Sequence, residues 1–287
     1  MKIVLSRKGF DASSGGVASP ILPDGRLLSL PIPSPTSPIT YDQVGLDDGS
    51  MGPLIEKLTK GRVRGRDGAH LDPDLRECAC RRRPGWRPLF GQDGTAQGHL
   101  RNAGLGPGDL FLFFGWFRQV ERTTGGYRFL RGAPDLHVVF GWLQVGDIVV
   151  VEDRRAAIPA WADYHPHFHR DSGDNNTVYV AREELLLPGM PPGPAGGGTF
   201  ERYNDGLRLT APGLSRSRWR LPKWFFPTNG RPPLSYHGKA DRWALSDDHA
   251  SLRAAPRGQE FVLDVKHYPE ALAWACGLIT GTTEVSG

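Results

Sequence analysis

The apolar residues of this chain come in short dense runs separated by glycine and proline, not in the i, i+3, i+4 stripe of a helical protein. Lys2-Ile3-Val4-Leu5 reads as a first, buried strand, and the loop from Ser6 to Ser19 follows it. Pro20–Leu22 and Arg26–Leu30 read as two extended pieces around the turn Pro23-Asp24-Gly25. The strongest pattern lies in the middle. Leu110 to Phe117 is aromatic or aliphatic at almost every position, as expected of a strand covered on both faces. Gly125-Gly126 then predicts a hairpin turn into Tyr127–Leu130, and Leu136 to Val151 supplies two further strand candidates. Gly258 to Asp264 is the one good strand signal of the C-terminal third.

Helical signals are few. Pro53 to Leu58 places proline at a helix start, Asp93 to Asn102 is stopped by Gly104, and Pro269 to Ile279 puts Leu272, Cys276 and Ile279 on one face with Gly281 just beyond. Asp72-Pro73-Asp74-Leu75 has the form of an N-cap followed by proline at the first helical position. Gly-Trp at Gly115-Trp116 and again at Gly141-Trp142, within strand-like runs, indicates hairpin geometry and not a solenoid. Pro188 to Gly198 reads as a loop or hinge, and the irregular C-terminal third is expected to pack back on the central strands. The predicted fold is therefore α+β and β-rich, a single domain over residues 1–287. Its centre is a mixed or antiparallel sheet or a partly closed barrel, with few short helices and long Gly/Pro-rich loops.

Composition sharpens this picture. Gly 37 and Pro 25 exclude a helical bundle or coiled coil, while 8 Trp, 13 Phe and 7 Tyr are too many aromatics for a disordered chain. A net charge of +4 is compatible with a nucleic-acid partner without demanding one. Three cysteines, Cys78, Cys80 and Cys276, cannot build a disulfide framework, so a cytoplasmic protein is expected. The N-terminus lacks the apolar core of a signal peptide, and no apolar run is long enough for a membrane span.

Two histidine groups carry candidate chemistry. His165, His167 and His169 alternate, so an extended strand would turn all three to one face as metal ligands, with Asp171 or Asp174 completing the set. His70-Leu71-Asp72 has the His-x-Asp spacing of two legs of an iron facial triad, for which one of the later histidines would supply the third. His70, Asp72 and His167 are accordingly the candidate catalytic residues, with iron or zinc as the divalent cofactor, although an N-cap or an exposed loop would explain the same residues without chemistry. Cys78-Ala79-Cys80 lacks the spacing of a zinc site.

Anion binding is the other candidate activity. Arg7, Lys8 and Asp11 sit in a glycine-bearing loop at the end of the first strand, where sheets leave open crevices. Arg62, Arg64, Arg66, Arg76, Arg81-Arg82-Arg83 and Arg87 make the densest basic stretch, beside Trp86 and Phe90, which could hold phosphate while an aromatic stacks on a base. Trp116 and Trp142 could form a base-stacking cage. The candidate substrate-binding set is Arg7, Lys8, Asp11, Trp86, Gln92, Trp116 and Arg118. Neither a phosphate-binding loop motif nor a Gly-x-Ser-x-Gly elbow occurs.

Five blocks in order, KIVLSRKGFDASSGGVASPILPDGRLLSLPIP, AHLDPDLR, GDLFLFFGWFR, LHVVFGWLQVG and GQEFVLD, span Lys2 to Asp264. With them the chain resembles the third of the nucleotide modification associated domain families, a bacterial group. That resemblance implies a role in modifying nucleotides or bases in DNA, and with it a nucleotide or nucleic-acid partner, but it assigns no catalytic residues. A looser similarity, a Gly-Asp before an aromatic strand and a later strand ending Gly-x-x-x-Val, is to barrels of the pseudouridine synthase and archaeosine transglycosylase type and favours a β-rich fold. Three functions follow as expectations: binding of a nucleotide or modified base in a modification pathway, a metal-dependent oxygenase or hydrolase, and a non-catalytic reader of modified bases.

Overall fold

The near-continuous apolar run of the middle of the chain becomes the long strand Leu110–Thr123, whose first six residues are buried because neighbours cover both faces. The computed structural model describes residues 1–47, 49–151, 158–169, 175–190, 192–228, 230–256 and 258–281. Nine strands form the main sheet. In chain order they are β1 (Lys2–Arg7), β2 (Ser19–Ile21), β3 (Leu89–Gln92), β4 (Leu110–Thr123), β5 (Gly126–Phe129), β6 (Leu136–Val150), β7 (Thr177–Ala181), β8 (Gly197–Thr199) and β9 (Glu260–Asp264). The lateral order is β9-β1-β4-β6-β7-β3, with β2 and β5 added to β4 and β8 added to β6. β1 and β2 run parallel to β4, and the other pairings are antiparallel. The fold is thus α+β with a mixed sheet.

The sheet curls strongly without closing into a barrel. Three strand spacings separate β3 from β4, about 14 Å in a flat sheet. Yet the ring of Phe90 on β3 meets those of Phe111 and Phe113 on β4 at 4.9 and 5.1 Å, edge to face. Those rings fill the concave interior, each such pair contributing about 0.5–1.5 kcal/mol beyond its burial. At one end of the curl the edge strands meet through side chains only, Gln92 Nε2 donating to Glu260 Oε1 at 2.6 Å. No backbone ladder joins β3 to β9 among the described residues, so of the expected forms the structure shows the mixed sheet, curled and not closed into a barrel.

Three helices flank it: α1 (Met51–Thr59), α2 (Gly94–Asn102) and α3 (Glu270–Thr280). All three lie where the sequence places them, and Gly281 ends α3 in the left-handed region at φ 71°. The fourth candidate does not form: Asp72 precedes irregular backbone, and only a short 3₁₀ turn, Glu77–Ala79, follows. α1 buries Met51, Ile55 and Leu58 in a second core with Tyr41 and Val120, over the outer part of β4. The predicted hinge near Pro188–Gly198 ends in β8, paired to β6. As expected, the C-terminal third packs back. Its small sheet (Arg218–Pro222, Trp243–Leu245 and His249–Arg253) buries Trp219, Leu221 and Leu252 in the same core as β1 and β4.

Candidate functional site

A cleft of about 810 Å³ opens where β1, parallel to β4, ends in Arg7 and Lys8. This is the crevice expected at the C-terminal end of the first strand. Gln92 from the end of β3 and Gln259 from the start of β9 also line it, so the curl of the sheet makes the cleft.

At one place in the cleft three imidazoles surround one carboxylate. His70 lies in a two-residue ribbon, Ala69–His70 paired with Ile32–Pro33. Asp72 follows, buried, its Oδ1 accepting the Gly91 backbone N–H at 2.7 Å and the Asp72-Pro73 peptide being cis. His70 Nε2 and His167 Nε2 stand 3.6 and 3.5 Å from Asp72 Oδ2, and His165 Nε2 stands 3.4 Å from Oδ1. The three His and Asp ligand atoms of His70, Asp72 and His167 lie within 4.8 Å of one another. Two donors bound to one tetrahedral ion at ~2.1 Å are ~3.4 Å apart, close to these separations.

The surroundings prepare that geometry. Asn176 Nδ2 donates to the His167 carbonyl at 2.7 Å, which turns its Oδ1 toward His167 Nδ1, also at 2.7 Å. Nδ1 therefore carries a proton, and in the neutral ring the lone pair lies on Nε2, facing Asp72, as second-partner hydrogen bonds do for metal-bound histidine. Gly91 is required by space: a Cβ there would stand 2.2 Å from the His167 ring. His165 is fully buried and neither ring nitrogen completes a hydrogen bond. Burial lowers its pKa against the opposing pull of Asp72, so it is neutral at pH 7. For Asp72 burial disfavours the charge, but the three imidazoles of His165, His167 and His70, 3.4 to 3.6 Å away, outweigh it and hold the carboxyl well below its usual range. An ionised carboxylate with imidazole lone pairs and no thiolate is a donor set for Zn²⁺ or Fe²⁺.

Two sequence expectations change here. The alternating histidines do not lie on a strand: Pro166–Phe168 is a 3₁₀ turn that carries His165 and His167 inward. His169 is exposed and its Nε2 contacts the Asp163 carbonyl at 2.5 Å, so the structure does not bring it to the cluster. The Asp72 carboxylate, read as a possible N-cap, instead faces imidazoles because no helix follows it. Asp171 and Asp174 lie outside the described residues.

The remaining candidates divide. Lys8, only 9% exposed at its side chain, pairs with buried Glu260 at 2.8 Å, and its ammonium sits 4.5 Å from the Phe90 ring centroid. Glu260 Oε1 also accepts from Ser6 and Gln92, which fixes Lys8 and Gln92 at the cleft wall. Arg7 donates to the carbonyls of Ala255 and Pro256. Asp11 Oδ1 accepts from the backbone N–H groups of Ser13 and Ser14 and shapes the loop that lines the cleft. Trp116 lines it too, its indole donating to Asp135 at 2.9 Å. Arg118 lies outside, against Phe129 and the Leu130 carbonyl. Trp86 also lies outside, stacked under Arg82 and donating to Tyr164.

Three arginines of the basic stretch are paired with carboxylates. Arg82 is held by Asp74 at 2.6 Å, Arg83 pairs with Asp163 and Arg87 with Asp147, and none lines the cleft. Trp116 pairs in register with His137 while Trp142 pairs with Leu112, four positions along β4 or ~13 Å, so the two do not form one cage. The cysteines are free and join no ligand cluster among the described residues. Sequence reasoning missed Gly91, Asn176, His137, Arg216 and Glu260. None has a spacing signal: Asn176 meets His167 nine residues away through a turn, and the others act on partners far away in sequence.

The chain was compared with known proteins. The family model described as nucleotide modification associated domain 3 matches residues 2–264, nearly the whole chain, and the chain belongs to that family. No curated protein and no solved structure matches it. No helix among the described residues is long and apolar enough to cross a membrane.

Proposed function

Starting from membership of the nucleotide modification associated domain 3 family, we propose that the cleft binds a nucleotide or a nucleic-acid base and that a divalent metal held by His70, Asp72 and His167 acts on it. The observation that carries this reading is the convergence of two imidazoles and one ionised carboxylate at the cleft surface, from segments about a hundred residues apart. Three protein donors leave coordination positions for water and substrate, the arrangement of a catalytic and not a structural site. Bound there, zinc or iron would supply Lewis acidity and an activated water, or, as iron, oxygen chemistry. Asn176 sets the His167 tautomer, and His165 stands 3.4 Å from the other Asp72 oxygen. Trp116 offers an aromatic face for a base, and Lys8 offers a fixed donor.

The test is elemental analysis and calorimetric titration with Zn²⁺, Fe²⁺ and Mn²⁺, on the wild type and on Asp72→Asn, beside a screen of nucleotides and DNA for turnover. One ion per chain, lost in the variant together with turnover, is expected. A wild type that takes up no ion, or keeps its activity after chelation, would overturn the metal reading.

A further inference from the structure

A second group of polar side chains in the same cleft has the opposite character to the Asp72 cluster. Arg7, His137 and Arg216 all line the cleft, and β4 and β6 hold them together. Phe114 and Trp116 are two apart on β4 and share a face. The Phe114 ring meets the Arg7 guanidinium at 5.7 Å and the His137 ring at 5.3 Å. Trp116 is the register partner of His137, and the Arg216 guanidinium stacks on its ring at 4.1 Å. All three N–H-bearing side chains therefore gather at one end of the β4/β6 ladder.

Their hydrogen-bonding capacity is not used up. Arg7 spends donors on two carbonyls, and its Nε is buried with no partner. The Arg216 guanidinium stacks on Trp116 and has no ion pair among the described residues. His137 Nδ1 accepts the Trp219 indole N–H at 3.0 Å, so the proton of the neutral ring is on Nε2. Burial, then the charges of Arg7 and Arg216, lower the His137 pKa well below its usual value, so the ring stays neutral. Burial, and then the charge of Arg216, lowers the Arg7 pKa, and two neighbouring guanidinium groups with a fixed imidazole N–H beside them are stabilised by a bound anion.

We propose that Arg7, His137 and Arg216 form an anion subsite that takes the phosphate of a nucleotide, leaving its base or sugar to reach the Asp72 cluster. This rests on the cleft being a nucleotide site. The guanidinium fork suits phosphate oxygens, and Trp116 beneath Arg216 provides a flat apolar wall beside them. The same chemistry fits a free nucleotide monoester or a backbone phosphodiester.

The test measures binding of the four deoxynucleoside 5′-monophosphates, the matching nucleosides, inorganic phosphate and a short single-stranded oligonucleotide, by calorimetry and by Trp fluorescence, at low and high salt. Monophosphates or oligonucleotide should bind roughly tenfold or more tightly than nucleosides, with added phosphate competing. Tighter monophosphates identify a free nucleotide, and a tighter oligonucleotide identifies a phosphodiester. Arg216→Ala, a change at a half-buried surface residue, should erase the preference and Arg216→Lys should restore part of it. Asp72→Asn should lose the metal and keep the preference, so failure of the metal reading shows separately. Equal affinity for nucleosides and their phosphates, no binding of any phosphate, or an Arg216→Ala variant that keeps the preference would each overturn the subsite.

Discussion

The two ends of the cleft are built from overlapping materials to opposite purpose. Around Asp72 the histidines direct ring nitrogens at a carboxylate whose charge they stabilise, and His165 has no other partner. Around Arg216 the histidine, His137, has one nitrogen occupied by Trp219, and its neighbours are cations. Imidazole alone does not say which kind of site it serves. The partner of its second nitrogen does: Asn176 gives His167 a lone pair toward the cluster, and Trp219 gives His137 a proton toward its own.

Removing the carboxylate should have the largest effect. Asp72→Asn is expected to cost at least a hundredfold in metal affinity by calorimetry, since it removes a ligand and the charge; tight binding in the variant would break the contrast. Acid should next attack the anion end through its framework. His237 is buried, donates from Nδ1 to the Ser235 carbonyl and accepts the Ala255 N–H on Nε2, while the Ala255 carbonyl holds Arg7. Burial lowers its pKa from 6.5 to about 4. The unfolded state therefore takes up the proton first: the stabilisation is complete above pH 6.5 and is lost as pH falls toward 4, about 3 kcal/mol in all. Denaturant titrations at pH 7 and 4.5 should show His237→Asn losing much less stability between them than the wild type, and parallel losses would refute this.

Smaller changes sharpen the metal end. Asn176→Ala frees the His167 tautomer and Gly91→Ala pushes a methyl into its ring, so each should weaken metal binding about 10–100-fold. Unchanged affinity in both would mean that His167 is not a ligand. Last, His169→Ala should leave metal affinity within about twofold by the same calorimetry, because its side chain turns to Asp163 and solvent; a tenfold loss would restore it to the site.

Much of this was legible in the chain. Glycine and proline punctuate apolar runs whose lengths match β1, β4 and β6, and the proline and glycine limits of α1 and α3 fall close to where they were read. His-x-Asp with a later histidine picked out residues that the fold gathers into one cluster, and the basic loop after β1 picked out part of the cleft lining. The failures share a cause. The histidine alternation suggested a strand, but Pro166 starts a 3₁₀ turn, which sends His169 outward. In the dense arginine run, read as either a phosphate site or a solvated basic face, Arg82, Arg83 and Arg87 pair with Asp74, Asp163 and Asp147, and none of the three lines the cleft.

Local order in this protein is decided by neighbours a few residues apart: turn residues, apolar runs and the short spacing of His70 and Asp72 are all properties of the sequence by itself. Whether a side chain is a ligand, a cap, an anion donor or a structural cation depends on what the curled sheet brings against it. Gln92 meets Glu260 across 168 residues, and His137 meets Trp219 across 82. Charge and hydrogen bonding act through space over a few ångströms, so the surroundings of each cleft side chain are decided only where the edge strands β3 and β9 come together.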